Sequence, residues 1–340
     1  MENENAANPV SGNSSSDDKL FQSRLDLSEL RVTIETIKFE LGKIIIGQTE
    51  MIDLIIAAIL TDGHVLIEGV PGVAKTLTSK LVARTIDSHF NRIQFTPDLM
   101  PSDVIGTSVF NQKEAEFEFK KGPIFSNIVL IDEINRAPAK TQSALFESME
   151  ERQVTVDGVE YGLAFPFIIV ATQNPVEQEG TYRLPEAQLD RFMFKIEVGY
   201  PDLNQEIAIL NGTHQRKNKI ELSEVKPVLS VDKLREYRES VQSIHFEEKL
   251  IQYVAKIVNH TRDNPSLFLG ASPRASIAIL NGSKAFAALR GRDFVTPEDI
   301  KQVTIPVLVH RIVVSPEKEM EGITARQIIE EIIQGIEIPR

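Results

Sequence analysis

His64-Val65-Leu66-Ile67-Glu68-Gly69-Val70-Pro71-Gly72-Val73-Ala74-Lys75-Thr76 is an apolar run that breaks into a glycine–proline loop and ends on a lysine and a hydroxyl residue. A helical segment, Leu77 to Arg84, follows directly. Strand, glycine-rich loop and helix in that order form a cradle for phosphate, because loop amides converge at a helix N-terminus where the dipole also favours negative charge. Lys75 supplies a point charge for the β and γ oxygens, and Thr76 offers a hydroxyl ligand to Mg²⁺. The pattern G-x-x-x-x-G-K-[ST] is broken once, since Ala74 stands where the second glycine belongs. The extra methyl is tolerable if Ala74 keeps a negative φ, and that is the expectation. Alone, the stretch also reads as an ordinary turn before a helix.

A second stretch weighs against the plain turn. Ile128-Val129-Leu130-Ile131 is continuously apolar and ends in Asp132-Glu133. Such a run is buried on both faces, which implies a parallel sheet with helices on either side. Adjacent carboxylates at the C-terminal edge of a buried strand lie where α/β folds bind ligands, and they are costly without a positive partner. A Mg²⁺–nucleotide complex is such a partner, with Asp132 toward the metal and Glu133 toward the attacking water. Arg92-Ile93-Gln94-Phe95 and Phe167-Ile168-Ile169-Val170-Ala171 read as further strands, and the alternating Phe194–Val198 as an edge strand. The fourth run ends in Thr172-Gln173-Asn174-Pro175, which places Asn174 either near a γ-phosphate or as a turn cap before proline.

Composition narrows the classes. The chain has 340 residues, room for about two domains at roughly 150 residues each. With 37 bases against 49 acids the formal charge is −12, which argues against a surface that coats nucleic acid or anionic membrane. Cysteine is absent, so thiol nucleophiles and Cys-ligated metal centres are excluded. No apolar run approaches the roughly 20 residues of a membrane span, and the acidic, Asn/Ser-rich start lacks signal-peptide features. These features predict a soluble cytoplasmic protein. Residues from Met1 to about Lys19 read as a disordered tail.

Leu30, Ile34, Ile37 and Leu41 predict a first helix ending at Gly42, and Met51–Leu60 a buried one. Two hairpins are expected, Ser108–Lys120 and Gln153–Leu163, the latter turning at Asp157-Gly158. Phe117 and Phe119 read as the buried face of the first. From Val231 onward the pattern is helical, with Ser272-Pro273 and Thr296-Pro297 as helix starts, giving a small all-α domain. The six histidines show no metal-ligand spacing and read as structural or surface residues. Arg191 and Arg274 are candidate cations for a transferring phosphoryl group, or plain surface arginines paired with a nearby acid.

Four motifs, GVPGVAKT, IVLIDEINRAPAKTQSALFESMEERQVTV, ATQNPVEQEGTYRLPEAQLDRF and GASPRASIAIL, closely resemble the MoxR family of AAA+ ATPases from Ile46 to the C-terminus. Alanine at position 74 is usual in that family's loop. The resemblance implies an α/β AAA+ P-loop core with a parallel five-stranded sheet over residues 23–203, after a tail of residues 1–22. A linker (204–230) and a small all-α lid (231–340) would follow. It implies ATP between core and lid, bound with Mg²⁺ and completed by a neighbour in a hexameric ring. Gly69, Val70, Pro71, Gly72, Val73, Ala74, Lys75, Thr76 and Leu77 would hold the nucleotide's phosphates, and Ile46, Gly47 and Gln48 its adenine. Thr76 and Asp132 would serve the metal, Lys75 and Thr76 being Walker A, Asp132 and Glu133 Walker B. Asn174 would be sensor 1, Arg274 sensor 2, and Arg191 the finger acting on the neighbour's ATP. Arg183 stands where many relatives carry proline, so Arg183 and Arg136 remain competing fingers.

Residues 97–125 resemble the helix-2 insertion of this clade, which with the Gln153–Leu163 hairpin would line the ring's working surface. Relatives mature partner complexes or insert cofactors, often beside proteins with a von Willebrand A domain. Two alternatives stay open. One is a nucleic-acid remodelling motor, disfavoured by the charge and by an insertion whose Lys113, Lys120 and Lys121 are matched by Glu114, Glu116 and Glu118. The other is an ATP-gated binding switch of low turnover.

Overall fold

The structure, a computed structural model, describes residues 25–175, 181–217 and 222–339. The expected tail of residues 1–22 and part of the expected linker lie outside them. In chain order the elements begin with α1 (Ser28–Gly42), α2 (Thr49–Leu60), β1 (Val65–Gly69), α3 (Lys75–Thr85) and β2 (Phe90–Gln94). Next come α4 (Pro101–Ile105), β3 (Gly106–Asn111), β4 (Glu116–Lys121), β5 (Ile128–Asp132) and α5 (Ala139–Glu151). They are followed by β6 (Gln153–Val156), β7 (Val159–Gly162), β8 (Ile168–Gln173), α6 (Glu186–Leu189) and β9 (Phe194–Val198). The remainder is α7 (Leu203–Gln215), α8 (Val231–Gln242), α9 (Glu248–Arg262), β10 (Leu267–Leu269), α10 (Pro273–Leu289), α11 (Pro297–Leu308), β11 (Val313–Val314), α12 (Pro316–Met320) and α13 (Ala325–Gly335).

β2, β5, β8, β1 and β9 form one sheet in that order, every neighbouring pair parallel. The apolar runs explain why it is covered twice. Ile128, Leu130, Ile168 and Val170 point into a core shared with α1, α2 and the helical domain, while Val129, Ile131, Ile169 and Ala171 point into a second core with α5. This is the α/β core and helical lid expected. Because the strands are parallel, all their C-terminal ends lie along one edge, and β8 sits between the ends of β1 and β5.

Several expectations need correction. The lid is not wholly helical, since β10 and β11 pair as a short antiparallel ribbon. The presumed linker starts with α7, whose N-terminus is closed by a capping box between Asp202 and Gln205. Phe117 is not buried: it is 75% exposed and packs edge-on against the exposed Phe110, 5.3 Å between ring centres. Only Phe119 is covered, by Tyr161 of the second hairpin and by Phe125. Those hairpins also meet where Ser108 Oγ donates to Asp157 Oδ2, 2.5 Å. The remaining corrections, at Ala74 among others, belong to the site. Among the described residues no helix is long and apolar enough to cross a membrane.

Candidate functional site

The loop after β1 closes with Gly72 at φ +88° and Ala74 at φ +61°. Ala74 is therefore left-handed, contrary to the expected negative φ. It is the residue immediately before α3 and must turn the chain so that Lys75 and Thr76 start the helix. An L-residue pays roughly 1–2 kcal/mol in that region, and glycine avoids it. Ala74→Gly is accordingly expected to stabilise the fold by about 0.5–1 kcal/mol, net of glycine's greater freedom when unfolded. Denaturant unfolding measures this, and an unchanged or lower midpoint would refute it.

One cavity of about 480 Å³ is lined by Pro71 to Leu77, Asp132, Glu133 and Asn174. The structure thus brings Lys75, Thr76, the acidic pair and Asn174 together from the ends of three adjacent strands. Lys75 Nζ donates to the backbone carbonyls of Gly69 and, at 3.1 Å, Val70. Gly69 itself is pressed against β9, where a Cβ would come within 2.6 Å of the Val198 carbonyl oxygen. Ile46, Gly47 and Gln48 do not line this cavity; Gly47, at φ +85°, faces the Gln205 side chain at the start of α7.

The acidic pair is held tightly. Asp132 Oδ1 accepts from Thr76 Oγ1 at 3.2 Å and from Thr172 Oγ1 at 3.0 Å, and Oδ2 accepts from Arg92 Nε at 2.5 Å. The Glu133 backbone amide donates to the same Thr172 hydroxyl at 3.1 Å. Glu133, left-handed at φ +58°, has its Oε2 2.7 Å from Gln94 Nε2 and 3.2 Å from Arg136 Nε. A buried carboxylate beside a hydroxyl is a set of hard oxygen donors suited to Mg²⁺, which keeps few protein ligands and takes the rest from phosphate and water. Among the described residues no group of three or more His, Asp or Glu side chains that could hold a metal ion occurs.

Thr172, Arg92 and Gln94 were missed in the sequence. Gln94 stands directly across from Asp132 in the β2–β5 register. Only a correct strand pairing could have found it.

Arg191 and Arg274 do not join this cavity. Both line another, with His64 and Met193, at the N-terminal ends of β1 and β9. Five-residue strands separate the two edges by about 16 Å. The resemblance implies ATP between core and lid, completed by a neighbour, with Arg274 as sensor 2; within this chain Arg274, which opens the lid helix α10, lines the cavity at the opposite edge from Lys75. The cause is a set of ties: Ser272 Oγ donates to Asp190 Oδ2 at 2.9 Å, and the buried Arg311 donates through Nε to Asp190 Oδ1 at 2.8 Å. Of the rival arginines, Arg136 sits on its own chain's Glu133, while Arg183 is exposed and pairs with Glu186 at 3.4 Å. His64 is structural, as expected. Burial, with Arg152 nearby, pushes its pKa down to about 3. Its neutral ring accepts from the Ile169 amide at Nδ1 and donates through Nε2 to the Met149 carbonyl.

A phosphate loop, an acidic strand end and a helical lid define a P-loop ATPase of the AAA+ class. The model of the ATPase family associated with various cellular activities matches residues 64–194, and that of the AAA lid domain residues 259–332. The chain belongs to the MoxR family within that class. It is 41% identical to Chaperone MoxR1 of Mycobacterium tuberculosis over 91% of this chain and 83% of that protein. It is 47% identical to protein YeaC of Bacillus subtilis, over 88% of this chain and 92% of that one. A crystal structure from Cytophaga hutchinsonii matches with a TM-score of 0.85 and 44% identity, covering 96% of this chain and all of the other.

Proposed function

We propose that this chain hydrolyses ATP with Mg²⁺ at sites completed between copies arranged in a hexameric ring, and that it uses the cycle to remodel partner protein complexes in the cytoplasm. Lys75 and the loop amides bind the phosphates, Thr76 and Asp132 hold the metal, Glu133 polarises the lytic water and Asn174 orients it. When bound at Thr76 and Asp132, Mg²⁺ would supply positive charge against the triphosphate. The observation that carries the reading is the separation of the machinery: the anion cradle and acidic pair occupy one sheet edge, and Arg191 with Arg274 the other. Within one chain these arginines lie away from its own phosphate site, which supports their presentation to a second copy, head to tail; such contacts generate rings where the rotation closes. Ile46, Gly47 and Gln48, with the start of α7, flank the base.

Maturation or cofactor insertion in a partner complex, beside a von Willebrand A protein, is the role carried over from the resemblance. The exposed Phe110 and Phe117 on the first hairpin suit contact with a protein client.

Turnover per chain is therefore expected to rise steeply with protein concentration and then level off, in step with assembly followed by light scattering. Turnover per chain that stays constant down to the concentration where only monomers remain would defeat the shared-site reading.

A further inference from the structure

Arg191 and Arg274 come from different parts of the chain, yet they converge on a single carboxylate. Glu150 Oε2 lies 3.0 Å from Arg191 Nε, and Glu150 Oε1 accepts a hydrogen bond from an Arg274 terminal nitrogen. Both arginines would otherwise repel one another. We propose that Glu150 is the positioning residue that fastens Arg191 and Arg274 into one dicationic unit, presented to the neighbouring copy's triphosphate. The inference rests on the shared-site reading above.

The supporting geometry is specific. Glu150 and Phe146 stand one turn apart on α5, on the same face. Arg191 lies along that face, with its guanidinium 6.0 Å from the Phe146 ring centre and NH1 donating to the Phe146 carbonyl. The end of α5 is itself fixed, because His64 Nε2 donates to the Met149 carbonyl at 3.2 Å. Arg191 Nε is buried and makes no aligned hydrogen bond, although Glu150 is within ion-pair distance. The pairing therefore locates the guanidinium while leaving it short of its full set of acceptors.

Lid docking does not need this carboxylate. Asp190 takes Ser272 and Arg311, and Arg311 also donates to the Phe192 and Met193 carbonyls. Arg274 reaches Asp190 only at 3.9 Å. Glu150 is thus free to serve the arginine pair, whereas Asp190 serves the joint between lid and core.

Subunit mixing tests this. Glu150→Gln should lower kcat about tenfold at saturating ATP with little change in nucleotide affinity, and Glu150→Asp should lose less. Glu150→Gln copies keep an intact phosphate site but present loosened arginines, while Glu133→Gln copies present sound arginines beside a slow site. An equal mixture is expected to exceed the mean of the two separate rates several-fold. Glu150→Gln with native or raised kcat would overturn the proposal. So would mixtures that merely average, since Glu150 would then act on its own chain's site or on folding alone. Native protein without turnover at any concentration would instead remove the shared-site reading and this inference together.

Discussion

Glu133→Gln is expected to bind ATP as tightly as the native chain and to turn it over about 10²–10³ times more slowly, the scale of a lost general base. The substitution is isosteric. It leaves the backbone amide of residue 133 on the Thr172 hydroxyl and leaves Asp132 with Thr76, Thr172 and Arg92. Phosphate and metal binding depend on those groups and on the loop, so affinity should hold. The carboxylate's basicity is what disappears. In the native chain Oε2 is shared between the Gln94 amide and Arg136, which aim the group. Equilibrium binding of a fluorescent ATP analogue, set beside single-turnover phosphate release, measures both halves. Release within about threefold of native would mean that another group activates the water.

The parallel sheet was legible because burial on both faces forces continuous apolar runs, and Ile128–Ile131 and Ile168–Ala171 have no other economical reading. The phosphate loop was legible because its residues are contiguous. What stayed hidden is long-range. Gln94 and Thr172 reach the acidic pair through register across β2, β5 and β8, and no local pattern near either residue announces it. α7 was hidden for another reason: it contributes no buried residue, so the apolar periodicity that marks a core helix has nothing to report there. Phe117 misled because alternation identifies a face without saying whether anything covers it. Ala74 misled because conformation there follows from the need to enter α3 after Gly72, which overrides the preference of an isolated alanine. The convergence on Glu150 could have been anticipated in part. A 13-residue helix is about 20 Å long, enough for α5 to run from the acidic edge of the sheet to the opposite one.

That same geometry makes Arg191→Ala the sharper probe of assembly. Its expected effect is a loss of about 10³ in turnover, within the range of an arginine finger, with nucleotide affinity unchanged in the isolated chain. The affinity half follows from distance, because Arg191 lies on the far edge of the sheet from its own Lys75. The rate half follows from charge: the transferring phosphoryl group develops negative charge that the metal and Lys75 only partly meet. Arg136→Ala differs in kind, since Arg136 touches Glu133 of its own chain and any loss should remain with the mutated copy. Mixing Arg191→Ala copies with Glu133→Gln copies should restore turnover at sites where a sound acidic pair meets a sound arginine, and Arg136→Ala copies should not be rescued in this way. If Arg191→Ala keeps its rate while Arg183→Ala loses it, the finger is Arg183, and the arginine pair on Glu150 would be a lid contact rather than part of the neighbour's pocket.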